Sequence, residues 1–328
     1  MTGSTGFLGS ALLRVLSGRD EVQAVLACDC VPSGEEFGEQ RLLDVRDREA
    51  CEAVVREWRP THILHAAAVT AGDDETCFAV NAMGTSNMVR AAVEAGTVER
   101  MVVLSSSGVY GASQTSLPCD EEHPLDLSSA YAESKRSAEL CALLAEARSG
   151  IALVAARVGP CYGSEETPSL FRPRQSLIAE LRAALLSAKP VRVYGPGYAR
   201  DWTHTNDLCA AMAGLLLAPR LQHRIYNVSS GIAVSSDELL ETFEDFGLQV
   251  QRVSDAAQAD LLLLPEHERK AMVIDRLHAD TGFTPSIGLH EGIALLLQHD
   301  TPDAPRFRGR IQLQHNERGE NDGKQHAL

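Results

Sequence analysis

Tyr131 and Lys135 stand four residues apart in Tyr131-Ala-Glu-Ser-Lys135, a spacing that places two side chains on one face of a helix. A free phenol has a pKa of about 10, so using it as a base near neutral pH needs roughly 4 kcal/mol of stabilisation of the phenolate. A neighbouring ammonium favours that charged form. At the start of the chain lies Gly3-Ser-Thr-Gly6-Phe7-Leu8-Gly9. Glycines so spaced let a backbone turn tightly against a pyrophosphate, with Phe7 and Leu8 in the cofactor-binding loop and the following helix aiming its positive end at the charge. Asp29 closes the next apolar run. A carboxylate there accepts hydrogen bonds from a ribose 2′-hydroxyl and repels a 2′-phosphate, which selects NAD over NADP. A glycine pattern or a Tyr-x-x-x-Lys alone is common, and Asp29 alone reads equally as a turn residue. In this order they specify hydride chemistry on a bound dinucleotide.

The elements that must position these groups follow from the pattern of the first two-thirds, where short apolar runs alternate with amphipathic stretches, as in βαβ units on a parallel sheet. Strands are expected at 22–28, 62–66, 101–105, 151–158, 191–194 and 224–228, and helices at 10–16, 48–58, 76–95, 128–148, 177–187 and 206–217. Ser105-Ser106-Ser107-Gly108-Val109-Tyr110-Gly111 follows the third strand, and ligands gather outside the carboxyl ends of such strands. A hydroxyl there steadies a reacting oxygen or merely satisfies loop backbone. The fold class is α/β: a Rossmann-type doubly wound parallel sheet over 1–158, with returning segments near 200–231. A smaller C-terminal substrate-binding lobe is expected over 159–299, and a disordered polar tail over 300–328. Only Met1 and Thr2 precede Gly3, so the first, central strand is expected to be cut short. Either the natural start lies upstream or the fold lacks its middle strand. The former is favoured, because a missing strand leaves the backbone groups of two neighbours unpaired.

Bulk properties exclude several classes. The 328 residues carry a formal charge of −15, the wrong sign for broad contact with a nucleic-acid backbone. A hydrophobic content of 44% and a mean hydropathy of −0.12 fit an ordinary globular protein. No apolar run of membrane length appears. Eight cysteines without a Cys-x-x-Cys pair read as reduced thiols of a cytoplasmic protein. The histidines lack the spacing of a metal site.

The chain resembles the extended short-chain dehydrogenases/reductases of the NAD-dependent epimerase/dehydratase type, which includes UDP-galactose 4-epimerases. The resemblance rests on TGSTGFLGS at 2–10, Asp44-Val45, ILHAAA at 63–68, Asn81 with Gly84-Thr85, LSSSGVYG at 104–111, YAESK at 131–135, RDWTHTNDL at 200–208 and YNVSSG at 226–231. It implies Ser106 as the catalytic hydroxyl, Tyr131 as the base and Lys135 as the residue holding the nicotinamide ribose. It further implies Asp44 and Val45 at the adenine, Ala66, Ala67, Ala68 and Asn81 along the cofactor, and Ser106, Ser107 and Arg200 on the substrate. Arg200 would grip a sugar-nucleotide phosphate, unless it is a surface arginine beside Asp201.

Departures bear on the substrate. Ser107-Gly108 replaces the acidic pair of family dehydratases, which disfavours a 4,6-dehydratase. Pro160 stands where many relatives have asparagine, and Pro265 where a second phosphate-binding arginine is expected; Arg172 and Arg174 are candidates to compensate. The implied activity is NAD-dependent oxidation of a secondary hydroxyl on a sugar or nucleotide-sugar, 4-epimerase-like. The alternatives are a dehydrogenase of a non-nucleotide sugar or sugar acid, and a cofactor-sensing protein without turnover. A homodimer through the two long helices is the implied assembly.

Overall fold

In the computed structural model the described residues are 1–32, 39–70, 72–111, 118–166 and 175–299. The expected tail and Arg172 and Arg174 lie outside them. Helix α1 (Phe7–Ser17) springs from the glycine loop and leads to β1 (Leu26–Asp29), β2 (Glu39–Leu42), α2 (Arg48–Trp58) and β3 (His62–His65). Next come α3 (Asp74–Cys77), a π-helical turn (Phe78–Met83) and α4 (Gly84–Ala95) as one helical run, then β4 (Arg100–Ser106), a 3-10 turn (Ser107–Tyr110), α5 (Ala130–Ser149) and β5 (Ala152–Val158).

These strands are all parallel. One run orders β2–β1 and the other β3–β4–β5, joined at its outer edge by the later strand at 225–228. Between the runs sit Met1 and Thr2. Thr2 bridges in parallel to both Cys28 and His65; its N–H donates to Leu64 O at 3.0 Å and its carbonyl accepts Ala66 N at 3.2 Å. The Met1 ammonium, its pKa lowered by burial, donates to Leu26 O at 2.7 Å. Two residues therefore hold the central position. β1 begins at Leu26, where its partner Glu39 first reaches it, rather than at the expected Val22.

The sheet is covered on both faces. Along β4, Val102 and Leu104 face a core with Leu12 and Leu16 of α1, while Met101 and Val103 face one with Val55, Met88, Ala92, Ala138 and Ala142. That is the two-residue period of a strand buried on both sides. Local signals set the helix ends: Asp47 accepts Ala50 N at 3.0 Å to start α2, and Arg59, in the left-handed region before Pro60, stops it. Ser129 accepts Ala132 N at 3.2 Å, so Tyr131 is the second residue of α5.

The rest comprises β6 (Cys161–Tyr162), α6 (Leu177–Leu186), β7 (Val191–Tyr194), β8 (Ala199–Arg200), β9 (Thr203–His204), α7 (Thr205–Leu217), β10 (Ile225–Val228), β11 (Val234–Ser235), α8 (Ser236–Asp245), β12 (Val250–Arg252), β13 (Leu261–Leu262), α9 (Asp275–Thr281) and α10 (Leu289–Gln298). Helix α7 and β10 return to the first core through Leu208, Met212, Tyr226 and Val228. Ile178, Leu181, Val191, Val193, Leu239, Phe243 and Ile293 pack in a separate apolar cluster. No described helix is long and apolar enough to cross a membrane.

Candidate active site

The glycine loop is a cradle that side chains would fill. Gly3 has φ +69°, and a Cβ on it would lie 2.5 Å from Ala67 N; a Cβ on Gly9 would lie 1.8 Å from Gly3 O. Gly6 caps α1 without a side-chain hydrogen bond, and the first turn, which contains Phe7 and Leu8, has no acidic residue. The amides there lie at the positive end of a helix dipole, a donor set that an anionic pyrophosphate fits. Asp29 spans the loop and the end of β1: Oδ2 accepts Thr5 N at 2.9 Å and Oδ1 accepts Cys30 N at 2.7 Å. Beside it opens a groove of about 100 Å³ lined by Ser4, Val31, Pro32, Arg41 and Leu42. The loop, Asp29 and Ala66 to Ala67 thus share one edge of the sheet.

Other expected cofactor residues take supporting positions. Asn81 is fully buried in the π-helical turn; it accepts Val69 N at 2.9 Å and donates to Val69 O and Ser134 Oγ, both at 3.0 Å. It ties the segment after Ala66-Ala67-Ala68 to α5. The π-turn has no sequence signal, and such turns concentrate at functional sites. Val45 is buried against Gly84, where a Cβ would come within 2.6 Å of its Cγ2. Asp44 is half-buried, and hydrogen bonds from Arg46 hold its carboxyl below the usual carboxylate range.

At the end of β4, Ser106 caps the 3-10 turn, its Oγ accepting Gly108 N at 3.0 Å. A Cβ on Gly108 would lie 3.2 Å from Ser106 Oγ and 3.4 Å from Tyr131 Cε1. The turn is therefore pressed between the serine and the tyrosine ring. Lys135, one helical turn on from Tyr131, is buried and donates from Nζ to Leu104 O at 2.7 Å. Burial pulls its pKa down to about 8, against the opposing pull of Glu139; the ammonium still predominates at neutral pH. The structure brings Ser106, Ser107, Tyr131 and Lys135 to one place.

A matching family model covers residues 1–229 with the description NAD dependent epimerase/dehydratase family. The chain belongs to that family. It is an NAD-dependent enzyme. Among similar proteins, a dTDP-glucose 4,6-dehydratase of Actinoplanes sp. is 28% identical over 90% of this chain and 94% of its own. A putative UDP-glucose 4-epimerase of Methanocaldococcus jannaschii is 23% identical over 89% of this chain and 95% of its own. Among solved structures, the UDP-glucose 4-epimerase of Thermus thermophilus in complex with NAD aligns with a TM-score of 0.75 and 28% identity, covering 91% of this chain and 97% of that one.

For a member of this family, the substrate side holds the larger surprise. Arg200 is not a surface arginine paired with Asp201. Its Nε donates to His267 O at 2.6 Å, and its guanidinium lies 5.2 Å from the Tyr198 ring centre and 5.6 Å from that of Trp202. Asp201 is fully buried and turned elsewhere, accepting from Ser229, Ser230, Gly231 N and Met272 N. Pro265 does replace the expected second arginine, yet the turn it opens, Pro265–His267, carries Arg269 just beyond it. Arg269 Nη1 donates to Glu266 O at 3.1 Å and Glu268 O at 2.6 Å, and its backbone N–H donates to Ala199 O at 3.0 Å. Two guanidinium groups thus sit on the carbonyls of one turn. Burial depresses the pKa of each; Tyr198 opposes the shift at Arg200, where Arg269 adds to it, and Asp126 opposes it at Arg269. Asp126 also packs against Gly111 at the end of the serine turn, linking the arginines to the segment that carries Ser106. The sequence signal for Arg269 is weak: a basic residue four positions beyond the expected one.

Proposed function

We propose that this enzyme oxidises a secondary hydroxyl of a nucleotide-sugar and returns the hydride to the opposite face, giving 4-epimerase-like chemistry. The observation that carries the reading is the convergence of Ser106, Tyr131 and Lys135 at the carboxyl end of β4, one strand-crossing from the glycine cradle. Bound NAD supplies the hydride acceptor. Tyr131 Oη takes the hydroxyl proton, and the buried Lys135 ammonium favours the phenolate that must accept it. The Ser106 hydroxyl, whose own proton is not used in its bond from Gly108 N, donates to the substrate oxygen as charge develops there. Lys135 would also hold the nicotinamide ribose, while Gly3, Gly6, Gly9 and the α1 amides would hold the pyrophosphate and Asp29 the adenosine ribose.

Arg200 and Arg269 together supply the positive surface a diphosphate needs, which favours a nucleotide-sugar over a free sugar. Elimination is disfavoured. Ser107-Gly108 offers no acid, and a side chain at 108 would press on Ser106 and Tyr131. Pro160 remains a departure that favours the dehydrogenase as second reading. A homodimer is the proposed assembly: Met83, Leu140 and Leu144 are exposed apolar side chains on the packed pair α4 and α5 and the π-turn before them.

The test is incubation with NAD and UDP-glucose, UDP-galactose or dTDP-glucose, followed by product chromatography and absorbance of NADH. Isomerised sugar without net NADH is expected. Net NADH supports the dehydrogenase, and the absence of any turnover on every nucleotide-sugar offered overturns the proposal.

A further inference from the structure

Glu139 lies one turn beyond Lys135 on α5, so Tyr131, Lys135 and Glu139 form a single stripe. Its side chain is fully buried, with 0% exposed. Ser105 Oγ donates to Oε1 at 2.6 Å, and Arg157 clasps the carboxylate from Nε to Oε1 at 2.9 Å and from Nη2 to Oε2 at 3.0 Å. Arg136 adds a bond to Oε2 at 2.8 Å. Ser105 and Arg157 are register partners on β4 and β5. Arg157 then reaches past the carboxylate, donating from Nη1 to Tyr110 Oη at 2.9 Å and to Glu121 O at 3.1 Å.

The consequence is geometric. Lys135 grips β4 at the Leu104 carbonyl, Glu139 grips it at the Ser105 hydroxyl, and the next residue is Ser106. Through Arg157, the same carboxylate holds Tyr110, the last residue of the 3-10 turn. The cluster therefore brackets the serine turn at both ends and fixes the helix that carries Tyr131 against it.

We propose that Glu139 is a positioning residue, acting through Ser105 and Lys135 to set where Ser106, Tyr131 and the lysine ammonium meet the nicotinamide end of NAD. The proposal rests on the role given above to Lys135. Charge supports it: Glu139 favours the ammonium that burial disfavours, while Arg157, Ser105 and Arg136 outweigh burial to keep Glu139 ionised. The other groups facing Lys135 do not imitate this effect. His65 on β3 bonds Thr2 and Thr85, and burial, with a smaller push from Lys135, takes its pKa to about 3. It is neutral throughout the relevant range. The Met1 ammonium beyond His65 and the Arg136 and Arg157 cations are common to all the single variants tested. Tyr131 is held constant likewise.

The experiment is calorimetric titration of the full chain with NAD from about pH 6 to 9.5, a range that spans the lysine's titration. An ammonium is present below its pKa, so affinity conferred by it falls as pH rises through that value. The wild type is expected to weaken through a midpoint near the Lys135 value of about 8. Glu139→Gln is expected to move that midpoint down by about one pH unit or more and to weaken NAD roughly tenfold at about pH 8. Ser105→Ala, which removes the tie and keeps the charge, is expected to leave the midpoint in place. Should Glu139→Gln fail to fold because it leaves the Arg157 charge unpaired, Glu139→Gln/Arg157→Gln removes both ions of the pair and is expected to show a midpoint lowered by less, because the Arg157 cation that repels the ammonium is lost as well. A wild-type midpoint in either folded variant overturns the proposal. A Lys135→Met variant that keeps the wild-type profile instead overturns the assignment of Lys135, which is a separate failure.

Discussion

The edge proposed for the cofactor and base and the edge that carries Arg200 and Arg269 are built in opposite ways. The first is assembled from short contiguous motifs: a glycine loop, a strand end, a serine turn and one face of a helix. The second joins Arg200 of β8 to the distant Arg269 through the carbonyls of a three-residue turn and its flank. The first edge is encoded locally in sequence, and the second is formed only by tertiary folding.

The comparison can be broken or sharpened experimentally. Tyr131→Phe should lower kcat by about 10²–10⁴-fold while leaving NAD affinity unchanged in calorimetry. Retained turnover would remove the base from the catalytic edge. On the opposite edge, Arg200→Ala and Arg269→Ala should each raise KM for a nucleotide-sugar by about 10–100-fold, the effect of losing a charge-assisted hydrogen bond, without altering NAD affinity. If Arg269→Ala leaves KM unchanged while Arg200→Ala raises it, the arginine edge shrinks to one residue. Asp29→Ser should narrow discrimination between NAD and NADP by about tenfold, read from the two Kd values, since a single carboxylate is removed from a site that retains its other donors. Smallest in its effect on catalysis, Leu140→Glu/Leu144→Glu should yield a monomer by light scattering with kcat within about twofold of wild type, because surface substitutions away from the cleft cost little.

Legibility follows the same division. Helix α2 ends where expected because its signals, Asp47 and Pro60, are adjacent to it in sequence. The 191–194 strand is equally plain from its apolar alternation. Thr2 as a bridge between two strands is not legible, since its partners Cys28 and His65 are brought together only by the sheet. The π-turn at 78–83 looks like ordinary helix in sequence, and its identity shows only in what Asn81 reaches. Pro265 reads as a loss because position, not space, defines the expectation. Arg269 recovers the charge because the turn carries it back beside Ala199. Glu139 and Arg157 each read as routine charged residues until the register of β4 with β5 sets Ser105 and Arg157 side by side on the carboxylate.

The two aromatic faces and the peptide carbonyl around Arg200 leave that side chain few conformers to abandon when an anion arrives. Its neighbour Asp201 anchors the main chain beneath it by accepting from Ser229, Ser230 and Gly231 on one distant segment and Met272 on another. Any anion affinity at this position would then come from order established during folding, and a substitution that spares the Asp201 anchor leaves that order in place.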